Sequence, residues 1–185
     1  MSKLYTLALI FILISCDSRR IVSNDDTIFV DYDKEQIFDW NNTILIKSVV
    51  SLETADDCVL SYARKCLVSG KYIVYHDEKQ KAIFVFDEEG TFLYVIDAVG
   101  GGPDEYTEIK DMAISCDKEF ILVLDNNSVV SFDLKNGRFQ DRISLPQNIA
   151  SNFYRFANVD KQTFYFWSTE KENSLYLYEN GEMKV

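Results

Sequence analysis

One pattern occurs three times along this chain, and it narrows the possible folds more than any other feature. The first copy reads Tyr72-Ile-Val-Tyr-His-Asp77, a polar gap, Ala82-Ile-Phe-Val-Phe-Asp87, Glu88-Glu89-Gly90, then Phe92-Leu-Tyr-Val-Ile96. The second reads Phe120-Ile-Leu-Val-Leu-Asp125, Asn126-Asn127, Ser128-Val-Val-Ser-Phe-Asp133, a turn ending at Gly137, then Phe139-Gln-Asp-Arg-Ile143. The third reads Thr163-Phe-Tyr-Phe-Trp-Ser168, a polar gap, Ser174-Leu-Tyr-Leu-Tyr-Glu179, Asn180-Gly181, then Met183-Lys-Val185. The turn glycines Gly90, Gly137 and Gly181 are 47 and 44 residues apart. A further strand candidate precedes each copy: Tyr62 to Val68, Met112 to Cys116, and Tyr154 to Val159. Each unit is thus predicted to be four short antiparallel strands joined by tight turns. Four strands at a period of about 40–50 residues mark the blades of a β-propeller.

Strand composition points the same way. Ile83-Phe-Val-Phe86 and Phe92-Leu-Tyr-Val-Ile96 are apolar on both faces. A sheet with one wet face would alternate apolar and polar residues, whereas sheets stacked face to face bury both sides. A β-sandwich of about a dozen short strands is the competing all-β architecture, but it has no reason to repeat its turn chemistry at this period. The expected fold class is all-β: four-stranded antiparallel β-propeller blades, about three of six, following a cleaved signal peptide. The expected blades cover about residues 60–98, 110–146 and 153–185, within a partial propeller over 28–185. A lead-in strand is expected over residues 44–54.

The N-terminus carries an address. Lys3 precedes an apolar run from Leu4 to Ile14, 11 residues long. That is short of the roughly 20 residues needed to span a bilayer but suits the apolar core of a signal peptide. The run ends Leu13-Ile14-Ser15-Cys16, which resembles a bacterial lipobox. The resemblance implies cleavage before Cys16 and lipid attachment to its thiol. Residues 1–15 are then the lipoprotein signal peptide and residues 16–27 a lipid-anchored tether. Two or more acyl chains on such a cysteine give stable membrane anchoring.

Net charge is −11, or −12 once Lys3 is lost. Such acidity argues against nucleic acid or anionic lipid as the main partner. Cys58, Cys66 and Cys116 remain after Cys16, an odd number that cannot all pair within one chain. They are expected as three buried thiols acting as small apolar side chains, with a Cys58–Cys66 bridge as the alternative. One histidine, His76, and no CxxC spacing leave no usual zinc ligand set. No cofactor is expected.

Between the first two units lies Gly100-Gly101-Gly102-Pro103-Asp104-Glu105-Tyr106. Together with the lipobox and the blades, this segment resembles the six-bladed β-propeller lipoproteins of Bacteroidota, of the NHL/TolB-like kind. That family carries Gly-Arg/Lys-Gly-Pro-Gly-Glu-Tyr/Phe at this place. Gly100, Gly102, Pro103, Glu105 and Tyr106 match it; Gly101 stands for the basic residue and Asp104 for the glycine. Val49-Val50-Ser51-Leu52-Glu53-Thr54 is similar to the strand leading into the family's propeller, with Ser51 where proline is common. The resemblance implies a bacterial envelope location, most simply the outer membrane facing the periplasm. The loop is neither a P-loop nor a dinucleotide fingerprint, since no Lys-Ser/Thr follows and no helix is predicted for it to open. It reads as an inter-blade turn, with ligand contact as the alternative. Six blades would need roughly 270 residues at this period. A chain of three is a truncated gene product, half of a two-chain ring, or a stable short variant. Open blade edges would favour a protein partner or self-association.

No catalytic constellation stands out. His76 lies on a strand with no nucleophile tied to it by motif, and is expected to pack in or at the edge of a blade. Asp31, Asp33 and Glu35 alternate as in a calcium loop but lack its glycine and its final glutamate. Asp77, Asp87, Asp125 and Asp133 recur at strand ends, where carboxylates accept backbone hydrogen bonds. Asp111 and Asn158 are the candidates for a central site of lactonase or lyase type. The expected function is a non-catalytic binding or interaction module at the envelope. The alternatives are a remnant without independent function and half of a propeller enzyme. Asn41-Asn42-Thr43 and Asn126-Asn127-Ser128 match a glycosylation sequon without functional weight in a bacterium.

Overall fold

The computed structural model describes residues 45–170 and 174–185. Cys16, the tether, the Asp31–Glu35 run and the Asn41 sequon lie outside them. Residues Lys47–Val185 form one structural unit, built almost wholly of strands. Twelve strands make three separate four-stranded antiparallel sheets, each a simple meander in chain order. The first holds β1(Ala63–Ser69), β2(Tyr72–Asp77), β3(Ala82–Asp87) and β4(Phe92–Ile96). The second holds β5(Asp111–Ile114), β6(Phe120–Leu124), β7(Ser128–Asp133) and β8(Phe139–Ser144). The third holds β9(Phe153–Asp160), β10(Thr163–Ser168), β11(Leu175–Glu179) and β12(Glu182–Lys184). The architecture is all-β, and among the described residues it consists of blade-like sheets with no closed barrel. A one-turn helix, α1(Gln147–Ala150), follows Pro146 and was not foreseen in the sequence.

The middle sheet explains why adjacent apolar residues recur in the repeat. Ile121 and Val123 of β6 face the first sheet, packing with Val74, Ile83 and Val85. Their neighbours Leu122 and Leu124 face the third sheet, packing with Phe156, Phe164 and Phe166. Successive side chains of a strand point to opposite faces, so a run apolar at every position belongs to a sheet buried on both. The third sheet packs aromatically: Phe153 stacks on Phe166 at 4.9 Å between ring centres, and Phe156 on Phe166 at 6.1 Å. Its other face is open. Tyr165, Trp167 and Leu175 point outward, 37–45% exposed.

The first sheet's far face is closed by the segment before it. Leu52, Cys58 and Leu60 pack with Phe84, Phe86 and Phe92. Residues 45–55, expected to include a lead-in strand over 44–54, form no strand. They meet the sheet through single contacts: the Glu53 N–H donates to the Gly90 carbonyl at 2.8 Å, and the Phe92 N–H to Glu53 Oε2 at 2.8 Å. Gly90, at φ +90°, fits here because a Cβ would collide with the Ser51 carbonyl. The cover is also narrower than a neighbouring sheet. Leu93 and Val95 of β4 remain exposed, so β4 is not buried on both faces as its composition suggested. The cysteines also depart from expectation. Cys58 is buried, but Cys66 on β1 and Cys116 after β5 are exposed, and all three are free thiols. The chain places Cys58 in a turn over β3, held by the Ala55 N–H at 3.2 Å, and no bridge to Cys66 forms.

The recurring aspartates divide by position into two jobs. Asp87 and Asp133 end the third strand of their sheets and accept N–H groups of the hairpin that follows: Thr91 at 2.8 Å and Lys135 at 2.8 Å. Asp77 and Asp125 end the second strand and hold the segment leading into their own sheet. Asp77 accepts N–H bonds from Ser61, Tyr62 (2.8 Å) and Gln80 (3.0 Å). Asp125 accepts Thr107 N–H at 3.1 Å and Thr107 Oγ1 at 2.6 Å. The third sheet has Ser168 at this place, and the Thr169 N–H bonds the Asn152 carbonyl at 3.1 Å instead. Phe166→Ala should lower unfolding free energy by about 3–5 kcal/mol, whereas Tyr165→Ala, one residue along and facing out, should cost about 0.5. Urea titrations of the two variants check the inward and outward assignment.

Candidate functional site

The first strands of the three sheets lie side by side, with β5 touching both β1 and β9. Asp111, at the start of β5, binds them together. Lys65 Nζ of β1 is 2.6 Å from its Oδ1, and the Phe156 N–H of β9 donates to its Oδ2 at 3.2 Å. Asp111 is only 7% exposed. A buried carboxylate with both oxygens engaged meets the condition under which such a charge can be held in a protein interior. A cleft of about 1210 Å³ opens over these strands. Its floor and walls include His76 from β2, Arg64 and Lys65 from β1, Asp111 from β5, Tyr154 and Arg155 from β9, and Trp167 from β10.

His76 is 3% exposed, and its imidazole hydrogen-bonds to none of the described residues. Burial lowers its pKa below the usual 6.5, and the Arg64 cation lowers it further; the carboxylates of Glu78, Asp77 and Asp111 oppose this without reversing it. It is therefore a neutral imidazole at neutral pH, facing the cleft. Its neighbour Asp77 is fully buried, which by itself would raise its pKa. The N–H groups of Gln80, Tyr62 and Ser61 outweigh burial and hold the carboxyl below its ordinary value.

The glycine-rich loop sits elsewhere. None of Gly100, Gly102, Pro103, Glu105 or Tyr106 lines the cleft. Tyr106 is fully buried between the first two sheets, edge-on to Phe132 at 6.1 Å. Its hydroxyl reaches the carbonyls of Lys81 (2.9 Å) and Ile96 (3.1 Å), and burial pushes its pKa up to about 12. Glu105 folds its carboxylate back onto the Gly102 N–H at 2.7 Å, so closely that a Cβ at Gly100 would collide with it. Arg142 of β8 completes the arrangement. Its guanidinium donates to the carbonyls of Pro103 (3.1 Å) and Glu105, and to Ser128 Oγ (2.5 Å), and lies 3.7 Å from Asp125. No sequence motif marks Arg142, because its partners are 37 and 39 residues away on a loop.

Asp111 and Asn158 do not converge. Asp111 lines the cleft; Asn158 does not. Asn158 accepts the Cys116 N–H at 2.8 Å, joining the second and third sheets. Among the described residues, no three His, Cys, Asp or Glu side chains gather to hold a metal ion.

The lowered pKa values fix a pH dependence. A group whose folded pKa lies below its unfolded one stabilises the fold above the unfolded value, and that stability is lost as pH falls through the folded value. For His76 the loss begins below 6.5; for Asp77 it begins below 3.8. Unfolding free energy measured against pH should fall in two stages, and His76→Gln should remove the upper stage while leaving the lower.

No curated protein matches the chain. Among solved structures, one from Bacteroides fragilis described as a "Putative exported protein" aligns with a TM-score of 0.61 at 16% identity. The alignment covers 74% of this chain and 40% of that one, so this chain spans about two fifths of that protein's length. The computationally designed Ika4 protein aligns over 73% of this chain and 99% of its own, at 13% identity and a TM-score of 0.39, too loose to support an argument. Residues 26–185 match the family model described as "Domain of unknown function (DUF4934)", and the chain belongs to that family.

Proposed function

We propose that this chain is a lipid-anchored envelope protein that binds a ligand without chemically converting it, through the cleft over the first strands of a six-bladed β-propeller. In this reading its three sheets are half of that ring. The cleft carries the proposal. It is the place where all three sheets contribute side chains to one concave surface, and propellers gather ligand contacts around their axis in this way. Three meander sheets stacked in chain order support the ring. So does the outward apolar face of the third sheet, where Tyr165 and Leu175 are open to a further sheet. That face is the surface for self-association or a protein partner. The Bacteroides fragilis protein, described as exported, supports an envelope location. Lipidation of Cys16 would fix the protein to the outer membrane, facing the periplasm.

A lactonase or lyase centre is disfavoured by the way its candidates are used. Asp111 is held by Lys65 and the Phe156 N–H, and Asn158 by the Cys116 N–H. Each joins neighbouring sheets, and neither has a free polar group converging with the other.

Two measurements test this reading. Cys16→Ser should move the protein from the membrane pellet to the soluble fraction and abolish labelling by a palmitate analogue; retention of both rejects the anchor. Hydrogen exchange of the mature protein in detergent, with and without a soluble envelope extract, should show protection on β1, β5 and β9. Protection confined to other strands, or none at all, rejects the cleft as the binding surface.

A further inference from the structure

The cleft has a charge balance opposite to that of the whole molecule. The chain carries −11, yet five cationic and three acidic side chains line the cleft. Two of the acids are already paired: Glu78 with Arg64, and Asp111 with Lys65 at 2.6 Å. Lys110 turns its ammonium to the Ser151 carbonyl at 3.0 Å. Among the described residues, the Lys81 and Arg155 side chains have neither an ion pair nor a hydrogen bond, and Glu108 is the cleft acid without an ion pair. A surface cation in so acidic a molecule has many possible partners, so two left unpaired over one concavity are a local feature with a sign.

Aromatic and polar groups stand beside those cations. Arg155 is the cross-strand partner of Trp167, and Tyr154 is next to it in sequence. Tyr154 and Trp167 line the cleft at 45% and 38% exposure. Flat rings of this kind supply a large apolar contact area at small entropic cost. At the floor, His76 lines the cleft, and its imidazole makes no hydrogen bond with any described residue, which leaves its ring nitrogens open to the cleft. The volume, about 1210 Å³, exceeds the roughly 300–1000 Å³ of pockets that hold a single small molecule. A concavity of that size has room for more than one sugar ring.

Resting on the binding reading above, we infer that the cleft takes an acidic oligosaccharide. Its carboxylates lie against Arg155 and Lys81, its ring faces against Trp167 and Tyr154, and a hydroxyl bonds His76. A neutral sugar would leave the two cations unanswered. An acidic peptide would answer the cations but would lack stacked sugar faces to set against the aromatic wall.

The test is calorimetry on the mature protein in detergent, with trigalacturonate, maltotriose and triglutamate as probes. Trigalacturonate should bind about tenfold or more tighter than either of the others. Arg155→Glu and, separately, Lys81→Glu should each weaken it by about tenfold, with far-ultraviolet dichroism unchanged. Two variants on different elements guard against a fold defect in one. Maltotriose binding as tightly, or triglutamate binding more tightly, overturns the acidic-saccharide class. So does trigalacturonate binding that neither variant weakens, or no heat from any probe up to about 10 mM. Each of those results leaves the cleft reading standing if envelope extract still protects β1, β5 and β9 from exchange. Loss of that protection is the separate failure of the binding reading.

Discussion

Burial of both faces of β6 and β7, the inner strands of the middle sheet, is the constraint on which the described fold depends. A small sheet cannot stand alone in water, because a single core of that size offsets little of the conformational entropy lost on folding. Here the middle sheet gives Ile121 and Val123 to one neighbour and Leu122 and Leu124 to the other. Each interface serves two sheets, and the stack is only as stable as its shared faces. The same arithmetic governs repeat proteins, where each unit is stabilised chiefly by the next. It also explains the contrast at the two ends of the stack. The first sheet is closed by Leu52, Cys58 and Leu60, while the third leaves Tyr165 and Trp167 open.

Polar side chains set the spacing that the apolar faces alone would leave loose. Asp77 and Asp125 tie each lead-in segment to its own sheet, and Asp111 and Asn158 tie sheet to sheet. The three carboxylates are buried and satisfied and the Asn158 amide is half-buried, so each restricts the geometry as well as contributing energy. Arg142 does the same for the glycine-rich loop, holding the Pro103 and Glu105 carbonyls. The cleft opens over these ties: Asp111 and Lys65 line it already engaged, and Lys81, Arg155, Trp167 and His76 are the lining groups that the ties do not consume.

Much of the fold was legible because period and chemistry repeat. The ranges of β2, β3, β4, β7 and β10 coincide with runs bounded in the sequence by aspartate, serine and glycine. Less legible were features set by what lies opposite. Residues 45–55 have the apolar composition of a strand, but pair with none. Cys66 and Cys116 look like core thiols, yet both are exposed. The cleft itself could not be read, because His76, Asp111 and Arg155 are 35 and 44 residues apart and share no motif.

By itself, then, the sequence determined the strands, the turns and the three-fold recurrence of four-stranded units. These depend on local alternation and on residues that tolerate turn geometry, both of which are written along the chain. Only the tertiary structure decided which faces are shared, which aspartate ties a loop and which ties two sheets, and which cations stand unpaired over a common cleft. Those depend on neighbours brought together from positions about a blade apart, and no local pattern of residues specifies what will lie across an interface.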